Sequence, residues 1–332
     1  MSLSFVFTLR PMVAAGALLT AFATPALAEQ IVVSNYGVSA NGMPFAVAME
    51  KGFFKEEGAD VTGILSSAGG GTTLRNMLAG DAPYAEVNPN AVFAALQKGA
   101  DIKIVSDNVL TVAEFVWAVK PDSPIHSPKD LTGRKIGYTN PRSTSQALAT
   151  LVLQAGDLKP HDAELVKTGG FGEGIPALDM GLIDVAPIPE PLWSKYKTKY
   201  RPIAKASELL PPIANVVGVA AGDASPEKAA FISAVIRARR KAVDYMKAHP
   251  DESATIIAQV YNLDPAVARS AVENLVGATT AGLPYWGSGQ IHMEGLTRAV
   301  DVQKMVGALS GDVDVKGAVD TRYLPDDIKA IK

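Results

Sequence analysis

From residue 31 onward the chain alternates short apolar runs with stretches in which apolar residues recur every three or four positions. IVVSNYG reads as a strand, PFAVAMEKGFFKEEG as a helix closed by glycine, VTGILSS as a strand, TTLRNMLAG as a helix, YAEVN as a strand, PNAVFAALQKG as a helix and IKIVSD as a strand. This rhythm predicts an α/β fold with helices on both faces of a sheet. It breaks at FVWAVKPDSPIHSP and then resumes: RKIGYT, AELVKTGG and IDVAPIPE as strands, STSQALATLVLQAG, EGIPALDMG and PLWSKYK as helices, and IANVVGVAAG as one more strand. The tail from Ser225 reads as mostly helical. Ser225-Pro226 and Asp264-Pro265 each pair an N-cap with proline at the first helical position.

Two rounds of the same pattern predict two α/β lobes. The first lobe takes residues 29–117 and 217–332, and the second, residues 118–216, is inserted into it through extended crossings near residues 115–120 and 213–219. Two crossings make a hinge, and a cleft between two lobes is a natural small-molecule site. Ligands of open α/β sheets sit at the carboxyl ends of strands, which places YGVSANGM, SSAGGGTT and VNPN along one rim.

The first 28 residues read as a leader. Arg10 supplies a positive charge, PMVAAGALLTAF is apolar but shorter than the roughly 20 residues a membrane span needs, and Ala26-Leu27-Ala28 has the small-x-small form cut by a signal peptidase. Export to the periplasm with cleavage after Ala28 is the expectation. The chain has no cysteine, so it forms no disulfide and offers no lipid-anchoring thiol. Without Arg10, the 31 basic residues fall to 30 against 34 acidic ones. That mild acidity and the lack of a dense basic cluster argue against nucleic acid as a partner; IRARRKAV is best read as the wet face of an amphipathic helix.

Residues 66–74, SSAGGGTTL, hold the most informative stretch. Three glycines before a helix that begins near Thr72 read either as a flexible turn or as an anion cradle, in which the bare amides of Gly70 and Gly71 and the Thr72 hydroxyl converge. IGYTNPRSTSQAL offers a second corner of this kind, with Asn140, Arg142, Ser143, Thr144 and Ser145 at a helix start. Glu190, in PIPEPLW, reads as a ligand acceptor, a link between lobes, or a helix N-cap. Asn88 has the same double reading, and Tyr36 and Trp193 are stacking or core aromatics. Catalytic and metal constellations are thin. The four histidines are scattered, no GxSxG elbow occurs, and the GxGxxA match from Gly172 to Ala177 carries a proline where a dinucleotide fold needs a helix.

PFAVAMEKGFFKEEGADV, the glycine loop with TTLRNMLAGD, NPNAVFAALQKGADIKIV, DLTGRKIGYT and the strand ending in EP follow one another in an order that resembles the solute-binding proteins of ABC transporters of the nitrate, taurine and alkanesulfonate type, a group that includes thiamine-pyrimidine binders. The resemblance covers nearly the whole chain after the leader. It implies the two-lobed periplasmic binding fold of the second topological type, a monomer that catalyses no reaction, needs no cofactor and hands its ligand to an inner-membrane permease with a cytoplasmic ATPase. Carried onto this sequence, it implies ligand contacts from Tyr36, Gly70, Gly71, Thr72, Asn88, Asn140, Ser143 and Thr144. DAPYAEVNP departs from the group's third-strand pattern by placing Glu86 and Asn88 near the rim. Three functions follow: binding of a small sulfonate or carboxylate; binding of a pyrimidine or cationic nitrogen compound through Glu86, Glu190 and aromatic faces; and an exported enzyme with Glu86 or Glu190 as base.

Overall fold

The structure is a computed structural model that describes residues 28–80, 82–141 and 143–332. The leader expected over residues 1–28 lies outside the described residues except for Ala28, and so does Arg142. The chain opens with β1 (Ala28–Ser34), whose Ile31, Val32 and Val33 are all fully buried. Three apolar residues in a row suit a strand covered on both faces. There follow α1 (Met43–Glu50), α2 (Phe53–Glu56), β2 (Asp60–Ser67), α3 (Gly70–Ala79), β3 (Ala85–Val87), α4 (Pro89–Leu96) and β4 (Ile102–Val109). β1 lies between β2 and β3 and runs parallel to both.

After β4 the chain leaves this sheet. Residues 110–114 cross to β5 (Phe115–Val119), and then come β6 (Lys135–Tyr138), α5 (Thr144–Ala155), β7 (Glu164–Lys167), α6 (Phe171–Asp179), β8 (Ala186–Pro189), α7 (Leu192–Tyr196), β9 (Arg201–Lys205) and α8 (Ala206–Leu209). β5 pairs antiparallel with β8 and β9, β6 pairs parallel with β7, and a bridge from Ile136 to Val185 joins the two groups into one second-lobe layer. Residues 210–215 carry the chain back to β10 (Val216–Ala221), which enters antiparallel between β3 and β4. The rest is α9 (Pro226–Ala248), α10 (Pro250–Val260), α11 (Pro265–Val276), a small hairpin of β11 (Thr279–Thr280) and β12 (Leu283–Pro284), β13 (Trp286–Gly289) and α12 (Met293–Met305). The first sheet therefore has the order β13-β4-β10-β3-β1-β2. The returning strand inserted beside β4 is the mark of the second topological type, so the fold is the one the sequence implies.

Four details differ from the sequence reading. The crossings run over 110–114 and 210–215, because the FVWAV segment expected to cross is a wholly buried strand of the second sheet. The tail read as mostly helical contains β13, an edge strand paired with β4; its WGSG sequence has neither alternation nor β-branched residues to announce it. α6 starts at Phe171 rather than Glu173, and α3 at Gly70 rather than Thr72, each two residues earlier than expected.

Each lobe has its own core. Val47, Phe93, Ile104, Val235 and Ile257 belong to the cluster packed on the first sheet, and Trp117, Ile136, Leu148 and Val152 to the second. α12 spans the boundary: it packs on both α4 and α5, and its Ala299 and Val302 join the second lobe's cluster. Among the described residues no helix is long and apolar enough to cross a membrane.

Candidate functional site

The strand ends define the site. β1, β2 and β3 end in loops that begin at Asn35, Ala68 and Asn88, and β6, β7 and β8 in loops that begin at Thr139, Thr168 and Glu190. Val217 at the start of β10 pairs with Val87 at the end of β3, and Phe115 at the start of β5 pairs with Pro189 at the end of β8. Both crossings thus meet the rims where ligands of such sheets bind, and the rims face each other across a cleft floored by the crossings. Two seams join the lobes over it: Asn90 Nδ2 donates to Thr144 Oγ1 at 3.2 Å, and Asn274 Nδ2 donates to Glu190 Oε1 at 2.6 Å, with Ser194 and Ser270 hydroxyls 3.0 Å apart beside the latter.

The three glycines of the first lobe's corner serve three ends. Gly69 has φ +87°, where a side chain is strained. Gly70 is buried where α3 starts against β3 and α4: a Cβ there would lie 2.5 Å from that of Ala91 and 2.9 Å from Asn88 Nδ2. Gly71 is exposed, and a Cβ on it would meet only Arg75 Nη1, at 3.6 Å. Gly69 O accepts from the amides of both Thr72 and Thr73 at 3.1 Å. The amides of Gly70 and Gly71 are therefore the ones without an acceptor. The Thr72 hydroxyl accepts from Arg75 Nη2 at 2.9 Å, a bond that uses a lone pair and leaves its O–H to donate. Thr73 is buried and ties the corner together through Ser34 Oγ at 2.9 Å and Ser67 Oγ at 2.6 Å.

Sequence reasoning missed Arg75. The signal was available: a residue three or four positions after Thr72 and Gly71 returns to the same helix face. Among the described residues no carboxylate pairs with Arg75, so its charge stands beside the open amide of Gly71 and close to that of Gly70. Asn88 caps α4 by accepting from Ala91 N at 2.9 Å, and its Nδ2 lies against Gly70. Tyr36 packs edge-on against Tyr261 with ring centroids 5.6 Å apart; burial first, then Glu50, pushes its phenol up to about 12.

Glu86 is not on the rim. It is fully buried, with Arg239 Nε at 3.2 Å, Asn41 Nδ2 at 2.9 Å and Asn108 Nδ2 at 2.6 Å from its carboxylate oxygens. Burial pushes its carboxyl up and Arg239 opposes that. Its neighbour Val87 in a three-residue strand points the other way, which is why a reading of strand ends alone misplaced it.

In the second lobe the side chains at the start of α5 bond to one another and to nearby backbone, while the amides of Thr144 and Ser145 have no acceptor among the described residues. Asn140 Nδ2 donates to Gly169 O at 2.8 Å, Ser143 Oγ accepts from Gln146 N at 3.2 Å, Ser145 Oγ holds Thr139 N at 2.9 Å, and Thr144 takes part in the seam to Asn90. α6 starts after Gly169 and Gly170, much as α3 starts after Gly69, with Gly169 at φ +100°. Here the carboxylate of Glu173, in the first turn of α6, folds back against Gly170 beside the helix start. Glu190 links the lobes rather than occupying the N-cap of α7, which is Pro191: it is 4% exposed, Oε1 takes the bond from Asn274 across the cleft, and Oε2 accepts from Ser194 N at 3.1 Å. Burial pushes its carboxyl up, with Asn274 the first of the groups that pull it back. Trp193 packs in the core with Val116, Ile188 and Tyr200. The GxGxxA residues lie inside α6, and among the described residues no group of three His, Asp or Glu could hold a metal ion.

A family model described as NMT1/THI5 like matches residues 39–253, well over half of the chain. This protein belongs to the NMT1/THI5-like family. No curated protein matches the chain. Solved structures similar to this NMT1/THI5-like protein include the periplasmic aliphatic sulphonate binding protein SsuA from Escherichia coli, with 17% identity, TM-score 0.75, and 90% of this chain and 92% of that one covered. The alkanesulfonate-binding protein SsuA from Xanthomonas axonopodis pv. citri bound to MOPS has 18% identity, TM-score 0.70, and coverage of 90% and 100%. The periplasmic nitrate-binding protein NrtA from Synechocystis PCC 6803 has 15% identity, TM-score 0.69, and coverage of 89% and 86%. At these identities the likeness establishes the fold that the NMT1/THI5-like chain shares with them.

Proposed function

We propose that this protein is the periplasmic substrate-binding component of an ABC importer, which closes by hinge motion on a small organic anion, a sulfonate or carboxylate, and delivers it to a membrane permease. The observation that carries the reading is the first lobe's corner: two amides, Gly70 and Gly71, at the start of a ten-residue helix, which have no acceptor among the described residues, with the Arg75 guanidinium beside them and no described carboxylate pairing with it. Backbone amides and a guanidinium are a matched set for an oxyanion, each charge-assisted bond contributing about 1.5–3 kcal/mol. The family match and the sulfonate- and nitrate-binding proteins of the same fold support the same class. A clamp of this kind works by closing: the two seams form only when the rims meet, and water leaving the cleft strengthens the bonds to the anion.

A pyrimidine or cation held by Glu86 and Glu190 has less support, since Glu86 is neutralised in the core by Arg239 and Glu190 is occupied by Asn274 and Ser194. The same engagements occupy both carboxylates that the enzyme reading offered as base, which leaves that reading less support. A thermal-shift screen of residues 29–332 against small sulfonates, nitrate, carboxylates, pyrimidines and amines tests the choice. An anion at a hundred times its Kd raises the midpoint by a few degrees, from about 2.7 kcal/mol of stabilisation. A shift with amines or pyrimidines alone would reject the anion reading.

A further inference from the structure

The two crossings meet at a carboxyl that the corner of glycines does not involve. Glu114 ends the first crossing, and its Oε1 accepts from Asn215 Nδ2, at the end of the second, at 2.5 Å. Its backbone carbonyl accepts the Glu190 amide at 3.0 Å. Since Phe115 lies against the end of β8 and Val217 against the end of β3, Glu114 and Asn215 stand where both rims converge, on the cleft floor. Glu114 is 6% exposed, and its Oε2 has no hydrogen-bond partner.

The ionisable groups around it offer no cation. Glu190, from the end of β8, is the charged neighbour that acts on Glu114, and it carries the same sign. Tyr285, just before β13, is the phenol that feels the Glu114 charge, with the Glu86–Arg239 pair acting on it from the core side. A buried carboxylate whose donors are the Asn215 amide and its own N–H, with a like-charged neighbour and no cation among the described groups acting on it, is costly, so the neutral acid is the stable form. Burial pushes Glu114 up to about 8, its own N–H and the Asn215 amide pull it partly back, and Glu190 pushes it up further. Because Oε1 accepts from Asn215, the proton belongs on Oε2, which leaves a buried O–H donor without an acceptor where the two crossings meet.

We propose that Glu114 is a ligand-binding residue that acts as a neutral acid, donating its Oε2 proton in a hydrogen bond to an oxygen of the anionic ligand. The assignment rests on the anion reading of the cleft. It explains how an acidic floor and an anionic ligand coexist: the floor presents a donor, and the ligand class is one with acceptor oxygens, a carboxylate or sulfonate. Ionising Glu114 would set a negative charge against the ligand, so affinity falls as pH rises past about 8. In the ligand-free protein the raised value has its own signature. The stability this proton contributes is fully present below the ordinary value of 4.5 and lost as pH rises through about 8.

The test joins a ligand-free arm to a binding arm. Carboxyl NMR of residues 29–332, with Glu114→Gln to assign the resonance, is expected to show Glu114 titrating near 8; titration in the ordinary glutamate range would overturn the proposal. Calorimetric titrations with methanesulfonate, MOPS and acetate at about pH 6.5 and about pH 9 are expected to show roughly tenfold weaker binding at the higher pH. Glu114→Gln, which keeps a donor but cannot ionise, loses that dependence, and Glu114→Met loses roughly tenfold or more at the lower pH. An anion bound equally well at both pH values, or a dependence that persists in Glu114→Gln, would overturn the role of Glu114 while leaving the anion reading standing. Binding of none of the three at about pH 6.5 would count against the anion reading itself and take the role of Glu114 with it.

Discussion

The two lobes start a rim helix in nearly the same way and leave it in opposite electrostatic states. In the first lobe, Gly69 at φ +87° leads into α3, the amides of Gly70 and Gly71 are open, and Arg75 stands beside them. In the second, Gly169 at φ +100° leads into α6, and Glu173 from the helix itself folds back beside the start. A helix N-terminus favours negative charge, by about 0.3–1 kcal/mol where exposed and more where water is excluded. The second lobe supplies that charge from its own chain; the first leaves the place open and adds a cation. The lesson is that a glycine-rich helix start is not in itself a site. What distinguishes the proposed binding corner from the start of α6 is the residue one turn on, arginine in one and glutamate in the other.

The strongest way to break this contrast is to separate the glycines. Gly70→Val drives a side chain into Ala91 and Asn88 and is expected to destabilise the fold by about 3 kcal/mol, the upper range for overpacking. Gly71→Val, whose Cβ has room, should leave the denaturation midpoint nearly unchanged and abolish anion binding by covering its amide. Urea unfolding and calorimetry on the two variants read both effects. Arg75→Gln comes next. Loss of one charge-assisted partner should weaken anion affinity by about 1.5–2 kcal/mol, roughly tenfold to thirtyfold, with stability unaffected because no fold contact other than Thr72 depends on it. Glu173→Gln gives the smallest effect. It should cost about 0.5 kcal/mol of stability by removing the charge at the start of α6 and leave anion affinity unchanged, as measured in the same titrations.

Much of the fold was legible because its strands are continuous apolar runs closed by glycines, and Ser225-Pro226 and Asp264-Pro265 do start helices, Ser225 accepting from Lys228 N and Asp264 from Ala266 N. β13 was not, since WGSG is held by its register against β4 rather than by its own propensities. The candidate site was legible as a set of loops, because strand ends mark rims whatever the side chains do. Which way a side chain turns was not. Glu86 and Glu190 both look like rim carboxylates in sequence; the first is drawn inward by Arg239, which lies 153 positions away, and the second outward to Asn274. Glu114 was invisible because its character comes from Asn215, on the other crossing, and from burial that no local pattern encodes.

The most direct measurement is the movement of individual backbone amide resonances as methanesulfonate or MOPS is titrated into isotope-labelled protein. If the anion rests on the first lobe's corner, the Gly70 and Gly71 amide protons shift downfield and saturate with the binding curve, while those of Phe171 and Gly172 at the start of α6, where Glu173 already places a negative charge against Gly170, move little. Large shifts at Phe171 and Gly172, or at Ser143 to Ser145, with Gly70 and Gly71 unmoved, would contradict the assignment and place the anion in the other lobe.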